Sequence, residues 1–311
     1  RIVYHGGWEE GVPHGTGTAY HPKTGNKVYQ GGWEEAVPHG TGTAYHPKTG
    51  NKVYQGCSRK GKAHGQGTAY FDDDQIKYRG EWKDDLPGGQ RRIFHRETGT
   101  KVSEGHSTEQ AGDNYVTQYF DNGEIEYHGG WKDGQRHGRG AEYHFKTGNK
   151  VYEGHFKKGV RDGEGTVYFD NGEIEYHGGW KDGQRHGRGA EYHFKTGNKV
   201  YEGHFEKGVR DGEGTMYFDN GEIQYHGGWK DGQPHGQGTD HDPVTGNRVY
   251  EGHFKKGVRD GEGTMYFDNG EIQYHGGWKD GQPHGHGISY GPETGKKAYE
   301  GDFRKGDRHG E

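Results

Sequence analysis

Histidine is the side chain in this sequence best suited to bind metal or carry protons. The chain has 24 histidines in 311 residues. Most recur at fixed positions of a repeated pattern: His106, His128, His137, His155, His177, His186, His204, His226, His235, His253, His275 and His284. The strong zinc motifs, His-Glu-x-x-His and paired cysteines, do not occur. In stacked strands, equivalent histidines would lie roughly 9–10 Å apart, too far to share one ion directly. We therefore expect hydrogen bonds to turns and no metal site, with adventitious metal binding and a proton-dependent switch as open alternatives.

Catalysis needs a unique set of acid, base or nucleophile. Here nearly every titratable residue has a copy 49 residues away. The sequence has no Gly-x-Ser-x-Gly, no Walker loop and no dinucleotide fingerprint between strand and helix. Residues 170–173 resemble part of a calcium loop but lack its other ligands, so we interpret them as a turn. The lone Cys57 allows no internal disulfide, which suits a reducing compartment. We predict that the chain is not an enzyme and binds no cofactor.

Charge is nearly balanced along the repeats. The chain has 41 Lys and Arg against 47 Asp and Glu, a net charge of -6. Residues 127–175 hold eight of each sign, so no repeat builds a basic field that would attract phosphates. We predict no nucleic-acid partner and only weak attraction to anionic lipid. A basic stripe confined to one face remains an alternative.

Aromatic residues are the best candidates for partner binding. They make up 14% of the chain and alternate with small or polar residues. A one-layer sheet cannot bury both faces, so such a row could form a groove for an extended peptide or a helix. The alternative is that the rings are the core of the fold itself. The candidate contact residues are Tyr127, Trp131, Tyr152, Phe156, Tyr176, Trp180, Tyr201, Phe205, Tyr225, Trp229, Tyr250, Phe254, Tyr274 and Trp278.

The elements that would position these rings are β-hairpins. Residues 151–156 alternate large apolar and polar side chains, the pattern of a strand. Residues 157–163 are rich in turn formers, and residues 163–169 would return as the second strand. Asn171-Gly172 then supplies a tight turn, and alternate repeats close with a turn one residue longer. A helical chain is excluded, because Leu86 is the single leucine and glycine numbers 65.

The hairpin unit recurs thirteen times, the last one truncated. Its first residue steps by about 24 or 25: Tyr4, Tyr29, Tyr54, Tyr78, Ser103, Tyr127, Tyr152, Tyr176, Tyr201, Tyr225, Tyr250, Tyr274 and Tyr299. From Tyr127 onward, two units combine into a 49-residue repeat, and residues 127–175 differ from 176–224 at only three positions. Such self-similarity is typical of repeat architectures. The chain also begins at Arg1 and ends within a motif, so we expect it to be a segment of a longer protein.

The unit resembles the MORN (membrane occupation and recognition nexus) repeat, whose pattern is Tyr-x-Gly-x-Trp/Phe, a short polar turn and His-Gly-x-Gly. Here it occurs as residues 127–131 with 137–140, as 176–180 with 186–189, and as 225–229 with 235–238. The resemblance covers nearly the whole chain. It implies an all-β fold, an elongated single-layer twisted antiparallel sheet of stacked β-hairpins that forms a solenoid-like rod with an aromatic-lined groove.

Two units depart from the pattern and divide the array. Gly88-Gly89-Gln90-Arg91 stands where His-Gly-x-Gly is expected, and the unit from Ser103 lacks its tyrosine and its tryptophan. We therefore expect N-terminal units in residues 1–83, degenerate units with a kink or a loop in residues 84–118, and near-identical double units in residues 119–311. Simple repeat decay in residues 84–118 is the alternative.

The resemblance implies a non-enzymatic scaffold that docks partner proteins along its groove. MORN proteins typically serve in cytoskeletal, axonemal or cortical assemblies, so a cytoplasmic, cytoskeleton-associated role is expected. The alternatives are a membrane-contact module for anionic lipid or phosphoinositide, and a regulatory array attached to an enzyme outside this segment. Open sheet ends also predict self-association.

Overall fold

The chain is all-β. The computed structural model describes residues 3–107 and 114–309, and in these ranges it contains 26 strands and no helix. The strands are β1 (Val3–Glu9), β2 (Val12–Tyr20), β3 (Lys27–Glu34), β4 (Val37–Tyr45), β5 (Lys52–Arg59), β6 (Lys62–Tyr70), β7 (Ile76–Lys83), β8 (Leu86–Phe94), β9 (Lys101–Ser107), β10 (Asn114–Tyr119), β11 (Ile125–Lys132), β12 (Gln135–Tyr143), β13 (Lys150–Lys157), β14 (Val160–Tyr168), β15 (Ile174–Lys181), β16 (Gln184–Tyr192), β17 (Lys199–Glu206), β18 (Val209–Tyr217), β19 (Ile223–Lys230), β20 (Gln233–His241), β21 (Arg248–Lys255), β22 (Val258–Tyr266), β23 (Ile272–Lys279), β24 (Gln282–Tyr290), β25 (Lys297–Arg304) and β26 (Asp307–His309).

The strands belong to two compact units. The first unit comprises residues 1–150 and 156–159, and the second comprises residues 151–155 and 160–311. In the first unit, each strand from β1 to β11 pairs antiparallel with the next strand along the chain, which ends the series at β12. In the second unit, each strand from β14 to β25 does the same, which ends the series at β26. Each unit is therefore an open antiparallel sheet of consecutive hairpins, as predicted.

The turn inside each hairpin is shorter than predicted. The sequence pattern suggested a turn over residues 157–163, but β13 runs to Lys157 and β14 starts at Val160. The two linking residues are left-handed: in the hairpin of β15 and β16, Asp182 has φ 49° and Gly183 has φ 80°. This is the type I′ geometry that matches the twist of a hairpin. The glycine at residue 163 is not part of the turn, and its own φ of 107° lies within β14.

The turns between hairpins follow the prediction. Gly172 donates its backbone N–H to the Phe169 carbonyl at 2.9 Å, which closes the tight Asn-Gly turn. In the alternate turn, Gly197 donates to the carbonyl of His193 at 2.9 Å, one residue farther back along the chain. The two turn lengths explain why the repeat steps alternate between 24 and 25 residues.

The core of each unit is a row of aromatic rings on one face of its sheet, here called the aromatic face. The Tyr176 ring is buried and packs edge-to-face on Trp180 of its own strand and on Phe205 of β17, with centroids 5.5 and 5.2 Å apart. Rings bury large areas each, so they take the place of the missing aliphatic core. The second face, here called the histidine face, carries His177 and its equivalents.

The degenerate segment predicted over residues 84–118 contains strands. Strands β8, β9 and β10 pair with their neighbours, with Gly89 opposite Ser107 and Tyr115 opposite His106. Residues 108–113 lie outside the described residues. The expected kink at this segment stays a prediction.

Candidate interaction faces

The predicted partner-binding rings lie in the core row of the aromatic face. Tyr127, Trp131 and Phe156 belong to the first unit, and the other eleven belong to the second. All of them except the half-buried Trp131 are buried. The structure therefore places these residues together, side by side within each unit. Their role as contacts for a partner stays a prediction.

Glycine determines how closely the rings approach the backbone. A Cβ built on Gly189 would lie 2.6 Å from the Cε2 and Cζ atoms of Tyr176, closer than real Cβ contacts. The Tyr176 hydroxyl donates to the Gly179 carbonyl at 3.0 Å, and Trp180 Nε1 donates to the Gly165 carbonyl at 3.4 Å. The glycines of the motif thus leave room for a ring that lies flat on the neighbouring strand.

Arginines and carboxylates cover the outer side of the rings. The Arg185 guanidinium lies 4.6 Å from the centroid of Tyr176 and donates to Glu191 at 2.6 Å and to Glu175 at 2.5 Å. Glu191 also accepts from Arg210 at 2.6 Å. A cation stacked on a ring is attracted by its π face, and both guanidinium groups have carboxylate partners.

Burial also keeps the core tyrosines neutral. It raises the pKa of Tyr201 to about 12, and it raises the pKa of Tyr250 to about 12 in the same way. The nearby guanidinium groups of Arg210 and Arg259 act in the opposite direction on the same two pKa values. Burial therefore outweighs the arginines, and the rings act as neutral hydrogen-bond donors.

Histidines of the other face are bonded across strands. The Nδ1 atom of His177 lies 2.9 Å from Thr166 Oγ1 on β14, and His226 and His275 have the same contact at the same distance with their threonines. Hydrogen bonds to turns, which the sequence predicted for this set, are made by others such as His193 with Thr196, at 3.2 Å. In the described ranges, no three His, Cys, Asp or Glu side chains lie close enough to hold a metal ion.

A second row of tyrosines, which sequence reasoning missed, lies on the histidine face. These residues are half-buried, and in the second unit they are Tyr168, Tyr192, Tyr217, Tyr266 and Tyr290, with His241 at the remaining position. Tyr168 alternates with Thr166 on β14, so both point away from the aromatic face. The signal was present in the alternation of the return strand, whose last residue is a tyrosine in almost every unit.

A groove of about 430 Å³ runs across the strands of the histidine face in the second unit. Its lining includes the small residues Gly189, Ala190 and Gly203. Tyr192 and Lys199 are paired towards one end of the strands, and Glu164, Arg188 and Glu213 lie towards the other end. Glycine and alanine in the lining let a bound chain approach the sheet closely.

The first unit has depressions where the repeat pattern breaks. One, of about 410 Å³, is lined by Arg79, Arg92 and Glu104, among others. Arg79 and Arg92 are directly opposite each other on β7 and β8, and Glu104 accepts from Arg92 at 3.3 Å. A larger depression of about 830 Å³ includes Leu86, which is 70% exposed.

Comparisons with known proteins agree with the repeat pattern. The family model for the MORN repeat matches twelve segments: residues 4–23, 29–48, 54–75, 78–90, 127–150, 152–174, 176–199, 201–223, 225–239, 250–272, 274–293 and 299–311. No match falls on the unit that starts at Ser103. No curated protein matches the chain.

Among solved structures, the chain is similar to the Tc holotoxin pore of Photorhabdus luminescens, with 12% identity and a TM-score of 0.16. The match covers 98% of this chain, which spans about 15% of the length of the holotoxin chain. In the described part of the chain, no helix is long and apolar enough to cross a membrane. The family model, which covers most of the sequence, shows that the chain belongs to the MORN repeat family.

Proposed function

We propose that the chain is a non-enzymatic scaffold that docks partner proteins along its repeats. The observation that carries this proposal is the recurrence of the same surface. In the second unit, the contact of His177 with Thr166 recurs at His226 and His275 with an unchanged distance of 2.9 Å. An array of equal surfaces suits a spacer that binds several copies of a partner.

The spacing of this array follows from the fold. One 49-residue repeat contributes four strands, so equivalent side chains recur about 19 Å apart along a sheet. Each repeat contacts only its neighbours, so adding or losing a copy changes the number of sites without disturbing the others. An enzyme, in contrast, would need a single constellation that copying does not reproduce.

The partner class follows from the family. MORN repeats are interaction modules for proteins or membranes. Within this class we propose a protein partner of cytoskeletal or axonemal type in the cytoplasm. The fourteen rings of the aromatic face are the proposed contacts; they support docking by holding Arg185, Arg210 and their carboxylates in place at the surface.

The test is to change the number of repeats. We would delete residues 176–224, one complete 49-residue repeat, and measure by crosslinking and mass spectrometry how much partner each chain retains in cells that contain it. The scaffold predicts one partner copy fewer per chain, with the remaining sites unchanged. A second variant carries alanine at both Trp180 and Trp229 in the full chain and should weaken partner contact; circular dichroism checks that its sheet is retained, because both rings belong to the core.

Vesicle flotation separates this function from membrane contact. The full chain would be mixed with vesicles that contain anionic lipid and phosphoinositide at physiological salt. The scaffold predicts that the protein stays in solution. Flotation that added salt reverses, or partner binding that ignores both the deletion and the alanine variants, would contradict the proposal.

A further inference from the structure

The groove of the histidine face is long enough to hold a short extended peptide. Its lining comes from six consecutive strands, β14 to β19, from Glu164 at one end to His226 at the other. Six strands span about 24 Å across a sheet. A polyproline II segment rises about 3.1 Å per residue, so about eight residues would fill that length.

The tyrosine row gives the groove a period. Tyr192, which lines the groove, and Tyr217, the next tyrosine of the same row, end the return strands of consecutive hairpins, and such positions recur every second strand, about 9.6 Å apart. One turn of polyproline II covers three residues and about 9.3 Å, which matches this spacing. Two turns of α-helix cover about 10.8 Å, and two residues of a strand cover about 6.7 Å, so neither stays in step with the rings. Rows of aromatic rings are also the surfaces that proline-rich segments use.

The carboxylates on the histidine face indicate which side chains the partner carries. Glu164, Glu213 and Glu262 occupy equivalent positions on β14, β18 and β22, and all three side chains are exposed. None of the three carboxylates has an ion-pair partner among the residues that the structure describes. They recur every four strands, about 19 Å, and six residues of polyproline II span about 18.6 Å. Two basic residues six positions apart in such a segment would therefore meet Glu164 and Glu213, the two of these carboxylates that line the groove, and would avoid Arg188, which lies on the strand midway between them.

We infer that this groove binds a proline-rich segment in the polyproline II conformation that carries lysine or arginine at two positions six residues apart. The tyrosine row packs against the proline rings, the small residues of the lining admit the backbone, and Glu164 and Glu213 bind the basic side chains. This inference rests on the proposed function, because it names the partner chemistry of a protein-interaction scaffold. It adds a docking site on the histidine face to the contacts that we propose for the aromatic face.

The test is a binding titration with the full chain. The probe is a fluorescent twelve-residue proline peptide with lysines at positions 3 and 9, followed by anisotropy. One comparison peptide places the lysines at positions 3 and 7, out of step with the glutamates. Another replaces proline by alanine to favour a helix and keeps the lysines at positions 3 and 9.

Two sets of charge variants provide the matched control. The groove variant combines Glu164→Gln and Glu213→Gln. The control variant combines Glu173→Gln and Glu222→Gln, which removes the same charge at the same period from the turns outside the groove. We expect about three- to tenfold weaker binding of the in-step peptide by the groove variant, in keeping with exposed ion pairs, and less than a twofold change for the control.

A third variant tests the rings. Replacing Tyr192 and Tyr217 by leucine keeps an apolar side chain in each half-buried position and should weaken binding about tenfold while the circular dichroism spectrum is retained. The inference is overturned if the in-step proline peptide does not bind, if both charge variants bind it equally, or if the alanine peptide binds more tightly. The partner count of the shortened chain is a separate measurement, so the scaffold can stand when this inference fails.

Discussion

A single methyl group beneath a buried tyrosine should disrupt a hairpin. In Gly189→Ala, the new Cβ would lie 2.6 Å from two ring carbons of Tyr176, a side chain with 0% exposure. The ring cannot stay where it is, and the backbone below it is held by the pairing of Gly189 with Gly178 and Gly203.

The magnitude can be bounded from the structure. Full expulsion of the ring would lose about 150–250 Å² of burial, or about 4–6 kcal/mol at 25 cal/mol per Å². Overpacking that the surroundings absorb costs about 1–3 kcal/mol. We expect Gly189→Ala to reduce the free energy of unfolding of this region by about 2–4 kcal/mol.

Gly187→Ala is the matched control, two residues away on β16. A Cβ there meets no atom within 4 Å, but the residue has φ 71°. Only the left-handed conformation is penalised, so we expect a loss of about 1 kcal/mol. Combining Gly189→Ala with Tyr176→Phe removes the hydroxyl closest to the new methyl group, and the double variant should lose less than the sum of the two single variants.

Amide hydrogen exchange is the appropriate assay, because repeat arrays need not unfold in one step. Gly189→Ala should speed exchange in β15 and β16 roughly 30- to 700-fold, against about fivefold for Gly187→Ala. The substituted peptide has its own mass, which distinguishes it from the near-identical copy at residues 127–175. Equal effects of the two alanines would refute the argument that ring contact, and not backbone conformation, requires glycine at residue 189.

Three further predictions concern stability. Ala36 has φ 67° in a hairpin turn where most other units have glycine and one has Asp85, so Ala36→Gly should stabilise the chain by about 0.5–1 kcal/mol in urea titration; a lower urea midpoint would contradict this. Trp180→Ala should cost about 3–5 kcal/mol and Trp8→Ala less than about 1 kcal/mol, because Trp180 is 9% exposed and Trp8 is 59% exposed; hydrogen exchange of their strands tests the contrast, and similar losses would oppose it. Burial raises the pKa of Tyr201 and of Tyr250 to about 12, so their contribution to stability is complete below pH 10 and should be lost as pH rises from about 10 to 12. Tyrosinate absorbance should rise together with unfolding; ionisation of all tyrosines near pH 10 in a folded chain would argue against it.

Much of the fold could be predicted because hairpins are local. The residues that form a strand, its turn and its return strand lie within one unit. Each further unit repeats the same pattern of strand and turn residues. The inner turn was predicted too long because of Gly163. This glycine suggests a turn, but it lies within the return strand β14 and has φ 107°. Glycine composition alone cannot separate a turn from a strand residue that must accept a left-handed conformation.

The sites were harder to predict, because both faces of the sheet carry tyrosine. Tyr176 and Tyr192 each alternate with polar residues, and a single hairpin contains no reason to bury one and not the other. The choice is made by the next hairpin, whose Phe205 packs against Tyr176. The hydrogen-bond partners of the histidines were predicted wrongly for the same reason. His177 bonds to Thr166 on the neighbouring strand, whereas the sequence suggested a partner in a turn.

The all-β class, the repeat length, the family and the aromatic composition of the core could be predicted from the amino-acid pattern, because they follow from periodicity and from residue types within one unit. The fold was needed to show which ring row is buried, which arginine covers Tyr176, and that Tyr192 and Glu213 line one groove. Burial, ion pairing and grooves arise between hairpins, from the register in which one strand is placed against the next.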